Sequence, residues 1–358
     1  MASNGHQISG AVIKKFPLTD SASPSIINRA LEVLRPLLPV TLPLYRRLQF
    51  GRFFDATCLL TNFHLDALQD TEANDQHNKP WLIAFVDRSC RPETEVWLAA
   101  SWEMATSNPS AEEEEHIDDL LRQLVIAAKN LPVPTSIHQA VLDADPSNDP
   151  GADHGGFSQK DYAGHAADTN IMLWGATHER TTEAMKRIGA LSYKFKTSLM
   201  ANYTFVWDVD RMPDPGNLPE GLRWGQLKPE HFHLVRSRTQ IPRQDRTLAV
   251  LPNIGIFPST SDAHAGSNPD PVAWVFVGLD GSLTTLHVEK AWRGKGLAKA
   301  ITTKLFKEKM QGLWEPEQIH YAYGFVIKGN EESEGMCRSL GGVSGWMVYW
   351  LRVDLGAL

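Results

Sequence analysis

The sequence predicts a mixed α/β protein built in two parts. Short segments rich in β-branched and aromatic residues alternate with apolar-periodic helical stretches along the whole chain, and two Gly/Pro-rich breaks interrupt them. At 358 residues the chain also exceeds the size at which a single hydrophobic core stops growing. Hydrophobic residues at 42% and charged residues at 22% supply enough apolar side chain for packed cores, which excludes a mostly disordered chain.

Residues 24–38 place Ile26, Ala30, Leu31, Leu34 and Leu38 at helical spacing behind Ser25, which predicts an amphipathic helix. Strands are predicted at 81–86 (WLIAFV) and 95–102 (EVWLAASW), joined through Arg91 and Pro92. Glu112 to Glu115 lead into Ile117, Leu120, Leu121, Leu124, Val125 and Ala128 at helical spacing. Acidic residues in a first turn suit the positive end of the helix dipole, so the tract reads as a solvated helix start, with cation binding as the alternative. Residues 143–169 hold many Gly, Pro, Asp and Ser and almost no aliphatic side chain, which predicts a flexible loop. Asp153, His154 and His165 on that loop lack the fixed spacing of metal ligands, so no metal is expected.

A strand at 171–174, a helix near 178–190 and a strand at 199–207 follow. Residues 211–222 (RMPDPGNLPEGL) carry three prolines and two glycines, which places the boundary between a first domain, 1–210, and a second, 211–358. The second should contain a strand at 222–227, a helix around 229–240 and a Pro-punctuated stretch. Two antiparallel strands at 272–277 (VAWVFV) and 283–288 (LTTLHV) then flank the turn residues Gly278 to Gly281. A helix at 296–310, a strand at 319–327, a helix at 331–340 and a strand at 346–353 complete it. The similar make-up of the halves leaves a degenerate tandem open.

The net charge of −7 argues against a general polyanion surface, so no nucleic-acid partner is expected. No apolar run reaches the roughly 18–20 residues of a membrane span and the start lacks an apolar signal region, so the reading is a soluble, cytoplasmic protein without a membrane partner. Cys58, Cys90 and Cys337 lie too far apart for a disulfide framework or a zinc knuckle, which fits a reducing compartment.

Against this acidic background, residues 289–309 carry seven basic and two acidic side chains. Within them Gly294 and Gly296 alternate with Arg293 and Lys295 where a strand gives way to a helix. Without a Cβ the backbone can turn tightly and aim several N–H groups at one point, reinforced by the helix dipole, which suits a diphosphate. A P-loop requires Ser or Thr after Lys295, where Gly296 stands, and a dinucleotide fingerprint requires a third glycine where Lys299 stands. The bland alternative is a solvated basic helix cap.

The run Arg293-Gly-Lys-Gly-Leu-Ala298 resembles the Arg-x-x-Gly-x-Gly/Ala signature of the GNAT superfamily of acyl-CoA N-acyltransferases, and the element order from about 222 to 353 is similar to that family's. The hairpin before the signature, with Asn330-Glu-Glu-Ser333 through Trp350 after it, more narrowly resembles the glycine N-acyltransferase-like branch; the N-terminal helix and strands resemble it loosely. The resemblance implies a C-terminal GNAT-like domain with splayed central strands, beside an N-terminal domain that is a degenerate GNAT-like half. It implies acetyl-CoA or another acyl-CoA as co-substrate, with no metal. The backbone of Leu286 and Val288 would pair with the pantetheine, and the N–H groups of Arg293, Gly294, Lys295, Gly296, Leu297 and Ala298 would hold the pyrophosphate. Asn330 and Ser333 would meet the pantetheine arm or form a plain helix cap. The implied reaction is direct attack by a small-molecule amine, amino acid or metabolite on the thioester.

Two positions depart from the family pattern. The glutamate expected just past the hairpin is replaced by Ser282, and the tyrosine expected seven residues after Asn330 by Cys337. His287 is a candidate base unless strand alternation buries it. Cys337 is a candidate acid or acyl acceptor, a helix-borne thiol being able to have a lowered pKa, or else a small buried hydrophobe. Tyr323, on one strand face with Tyr321, borders the acyl pocket or packs in the core. Asp280 reads foremost as a turn former, and His231 and His233 diverge on a helix. The expected activity is acyl-CoA-dependent N-acyl transfer. The alternatives are an acyl-CoA-binding protein that has lost transfer, or other thioester chemistry such as O- or C-acyl transfer or thioester cleavage.

Overall fold

The structure, a computed structural model, describes residues 12–19, 23–54, 56–65, 79–133, 159–195, 197–239, 241, 243–259, 269–316 and 318–358. Among them twelve strands make one mixed sheet. The first half supplies β1 (Lys14–Pro17), β2 (Cys58–Thr61), β3 (Leu82–Val86) and β4 (Val96–Ala100) as an antiparallel run. Helix α3 (Ala111–Lys129) follows β4, and the chain returns through β5 (Ile171–His178), parallel to β4. The second half repeats this with β7 (Leu222–Gly225), β8 (Asn253–Pro258), β9 (Ala273–Val277) and β10 (Leu283–Val288). Helix α8 (Leu297–Lys309) then leads to the parallel β11 (Tyr321–Ile327). Each parallel pair needs a crossover helix because a tight turn only joins antiparallel strands.

The two remaining strands are exchanged. β6 (Leu199–Asp208) belongs to the first half in sequence and pairs with β11 of the second, while β12 (Val343–Asp354) pairs with β5 of the first. β6 and β12 also pair with each other, giving the order β1-β2-β3-β4-β5-β12-β6-β11-β10-β9-β8-β7, a pseudo-symmetric arrangement about the β6–β12 seam.

The continuous apolar runs of β3, β4 and β9 are buried at every position, as expected of strands covered on both faces. In the first half α1 (Ser23–Leu34) and α2 (Leu42–Phe50) cover one face around Leu34, Tyr45 and Phe85. α3 and α5 (Glu179–Arg187) cover the other around Leu121, Trp174 and Met185. In the second half α8 seals one face with Ile301, Leu305 and Phe306, and α6 (Phe232–Arg238) seals the opposite one over Trp274 and Phe276. Each such side chain contributes roughly 1.5–3 kcal/mol by leaving water.

Several expectations need correction. The helix predicted over 24–38 stops at Leu34, where Pro36 reduces the continuation to a 3-10 turn, Arg35–Leu37. Part of the predicted flexible loop is a helix, α4 (Gln159–Ala167), with His165 buried; Asp153, His154 and the rest of 143–158 lie outside the described residues. β1, β2, α2 and β8 were not anticipated: β2 is four residues long, α2 opens on a proline, and β8 contains Gly255 and Pro258. Cross-strand pairing with neighbours distant in sequence supplies what local propensity lacks there. The helix at 229–240 begins as a 3-10 turn, Pro229–His231, before α6.

Candidate functional site

β10 and β11 share one registered pair, Leu283 with Gly324, and then diverge. On its other edge β10 is held by β9 through Leu283–Val277 and Thr284–Phe276, then through His287–Trp274 and Val288–Ala273. The change of register inserts one extra residue into β10, and at this bulge Thr285 adopts a φ of 55°, rare for a β-branched residue. Every residue of β10 is half-buried, unlike the sealed β9 beside it. The divergence opens a cleft of about 1070 Å³ that reaches from the mouth at Lys290, Arg293 and Lys328 to Glu93 and Trp97 of the first half.

At the mouth Gly294 and Gly296 have φ of 75° and 77°, the left-handed region in which glycine carries no Cβ penalty. A Cβ at either would meet nothing within 4 Å, so backbone conformation, and not crowding, selects glycine. Gly296 is the N-cap of α8, whose first-turn N–H groups have no intrahelical acceptor. Arg293 Nε donates to the Val288 carbonyl at 3.1 Å, pinning the loop to the end of β10, and Lys295 lies over the Trp292 ring at 4.5 Å. The corresponding connection in the first half differs. α3 opens on Ser110 in a capping box with Glu113, with Glu112 and Glu114 in the same turn and no glycine from 101 to 112. Negative charge there repels a diphosphate, so this connection does not form an anion site of the kind seen at the start of α8.

Leu286, His287, Arg293, Asn330, Ser333 and Cys337 line the cleft, whereas Val288, Gly294, Lys295, Gly296, Leu297, Ala298 and Tyr323 are outside its lining. Leu297 is a core residue beneath α8. His287 stacks on Trp274 with centroids 4.6 Å apart, and its Nε2 stands 3.7 Å from Glu289 Oε1. Burial lowers its pKa, Glu289 opposing, so the ring is neutral at physiological pH. The Asn330 side chain accepts the Ser333 N–H at 3.1 Å and caps α9 (Glu331–Ser339). Cys337 does not carry the lowered pKa envisaged for a helix-borne thiol: burial pushes it up to about 12. Tyr323 is fully buried, its hydroxyl donating to the Asp280 carbonyl.

Sequence reasoning named Asp280 as a weaker candidate base, foremost a turn former, and noted Ser282, but it did not bring the two together as a cleft wall and it passed over Arg243. Asp280 and Ser282, both buried, line the cleft next to Gly278. Arg243 reaches the same wall from a loop of the second half, its Nη2 donating to Thr284 Oγ1 at 2.9 Å. The Asp-x-Ser turn was the available signal for the first pair; Arg243 sits in a Pro-punctuated stretch with no motif around it.

The first half closes the far wall. Glu93 accepts from Gln244 N at 2.8 Å and Thr247 Oγ1 at 2.7 Å, joining the halves, and Trp350 Nε1 donates to Thr94 Oγ1 at 3.1 Å. Below them Arg352, its pKa brought down to about 10 by burial, donates to His165 Nδ1 and Thr197 Oγ1. His165 faces Glu95; Asp153 and His154, considered with it as metal ligands, lie outside the described residues. Among the described residues no three His, Cys, Asp or Glu side chains come together around a metal-sized space, and no helix is long and apolar enough to cross a membrane.

The family model for the acyl-CoA N-acyltransferase verG N-terminal domain matches residues 14–208. A search of curated proteins gives no significant match. Among solved structures, an X-ray structure of a Drosophila protein superposes with a TM-score of 0.58 at 12% identity, covering 96% of this chain and 98% of that one, which shows a shared fold. A tandem GNAT protein from the clavulanic acid biosynthesis pathway gives a TM-score of 0.46 at 11% identity, covering 96% of this chain and 99% of that one. A GCN5-related N-acetyltransferase from Sphaerobacter thermophilus gives 0.44 at 10% identity, covering 96% of each chain.

Proposed function

The chain belongs to the family of the acyl-CoA N-acyltransferase verG N-terminal domain, and from that premise we propose that it transfers an acetyl or other acyl group from a coenzyme A thioester to a small-molecule amine by direct attack. One observation carries the reading: β10 leaves β11 after a single registered pair and runs into a left-handed glycine pair at the start of α8.

In this reading the pantetheine lies along the free edge of β10, bonding the backbone of Leu286 and Val288 as an added strand would. The pyrophosphate rests on the N–H groups of residues 293–298, with Arg293 and Lys295 supplying charge. Asn330 and Ser333 bond each other in the cap and form one wall of the pantetheine channel. The thioester carbonyl then lies at the bulge, and the acceptor amine enters from the side walled by Glu93 and Trp350 of the two halves. Holding both reactants in one cleft supplies much of the acceleration as effective molarity. Cys337 stays a thiol at neutral pH and packs the wall, Tyr323 is committed to a backbone carbonyl, and neutral His287 faces the pantetheine stretch.

The test pairs binding with turnover. Calorimetry with acetyl-CoA, and thiol release from acetyl-CoA in the presence of proteinogenic amino acids and simple alkylamines, should show saturable binding and amine-dependent release. No binding of acetyl-CoA or of longer acyl-CoAs would sink the proposal. Binding with release that ignores the amine would point to thioester cleavage.

A further inference from the structure

The turn joining β9 to β10 folds a carboxylate back over itself. Asp280 Oδ1 accepts the Ser282 N–H at 3.2 Å and the Ser282 Oγ–H at 2.8 Å. Both side chains are buried yet line the cleft, at the point where β10 and β11 part. Gly278 makes the room: a Cβ there would stand 2.6 Å from Asp280 Oδ1 and 3.1 Å from Ser282 Oγ, although its φ is not one that demands glycine. Among the described residues no cation lies within ion-pair distance of Asp280. A buried carboxylate without a paired cation is costly and is retained more often at functional sites than in plain turns.

We propose that Asp280 and Ser282 form the proton relay of the acyl transfer. The proposal rests on the reading of the cleft as an acyl-CoA site. The amine nitrogen attacks the thioester carbon and forms the N–C bond. As the C–S bond breaks, its electron pair leaves on sulfur as thiolate. Ser282 Oγ takes the proton from the attacking nitrogen while passing its own to Asp280 Oδ1. The carboxylic acid so formed returns its proton through the same hydroxyl to the thiolate, leaving amide, free thiol and the original carboxylate. Burial raises the Asp280 pKa above the ordinary carboxylate range, which makes it a stronger base than a surface aspartate. The charged and titratable groups facing it are Arg243 from the loop before α7 (Asp245–Leu248), Arg47 from α2 and the Tyr323 hydroxyl from β11.

The decisive variants are Asp280→Asn, which keeps the Oδ1 that accepts both hydrogen bonds, and Ser282→Ala. Acetyl-CoA binding by calorimetry and thiol release with the amino-acid and alkylamine probes are followed across pH. The relay predicts unchanged binding, a fall in turnover of about 100-fold or more for Asp280→Asn, and a fall of similar order for Ser282→Ala. The wild-type acid limb, displaced upward from ordinary carboxylate titration, should vanish in Asp280→Asn and persist in His287→Asn. Turnover of Asp280→Asn near wild type, an acid limb that disappears with His287 instead, or a wild-type protein that binds acetyl-CoA without accelerating attack by any probe amine would each overturn the relay and leave the coenzyme site standing. Failure of the wild type to bind acyl-CoA would overturn the site itself.

Discussion

Gly281 lies directly on Arg46: a Cβ at Gly281 would stand 2.7 Å from the Arg46 Cβ, and its own φ is 81°. The contact joins α2 of the first half to the β9–β10 turn of the second. Arg46 extends it by donating to the carbonyl of Leu313 at 2.6 Å and to that of Tyr321 at 3.3 Å. The turn that holds Asp280 is therefore clamped from below by the other half. Gly281→Ala adds a steric clash and a left-handed Ala, and should cost about 2–3 kcal/mol. A urea titration should show a lower midpoint at unchanged slope, and an unshifted midpoint would show that the contact relaxes freely.

Charge reversal at the mouth of the cleft should act on the coenzyme alone. Arg293→Glu places a carboxylate beside the proposed pyrophosphate and should weaken acetyl-CoA binding at least roughly tenfold, more at low salt. An S-acetyl pantetheine lacking the diphosphate should bind wild type and variant alike. Equal acetyl-CoA affinity in calorimetry would move the pyrophosphate elsewhere.

Two buried groups give stability opposing pH slopes. Burial pushes Glu103 up to about 7 from an ordinary 4.5, although Thr181 donates to its Oε1 at 2.6 Å and Ala100 N to its Oε2 at 3.1 Å. The folded state then holds a proton that the unfolded state releases, so stability falls as pH rises through that window, by roughly 3 kcal/mol at most. Burial brings His178 down to about 4 from 6.5, so here stability falls as pH drops through its window. Glu103→Gln removes the first slope and leaves the second. Its stability relative to wild type should rise between about pH 5 and about pH 8, as measured by denaturant titration at each pH. A pH-independent difference would mean that Glu103 titrates normally.

Glu95 anchors a buried cluster, with Arg91 at 3.2 Å, Arg88 at 3.7 Å and His165 Nε2 at 3.4 Å. Replacing it with Gln leaves two buried guanidinium groups without a counter-charge and should cost about 3–5 kcal/mol. Chemical denaturation checks the loss, and a change below about 1 kcal/mol would show water reaching the cluster.

Legibility in the sequence followed the reach of each interaction. Helix α3 was readable because its apolar spacing and the acidic run Glu112 to Glu115 at its start are local, and α8 because two glycines and a basic run mark its start. The glycine pair could be read because a left-handed φ leaves a residue-type signature. β2 and β8 were not, since four to six residues carry little periodicity and their order comes from strands far along the chain. The same holds for the site. Arg293 announced itself within a motif, whereas Arg243 reaches Thr284 across 41 residues and the Asp280 turn only becomes a cleft wall once β10 parts from β11.

The seam between β6 and β12 bears on how the protein emerges from the ribosome. β5 pairs on its outer edge with β12, which is made after β7 to β11, so the first half waits with an open edge while those strands are synthesised. Cotranslational assembly of one half ahead of the other is thereby blocked at its final step. A nascent chain stalled before residue 343 leaves that β5 edge without β12, the kind of open strand edge that templates association with other chains.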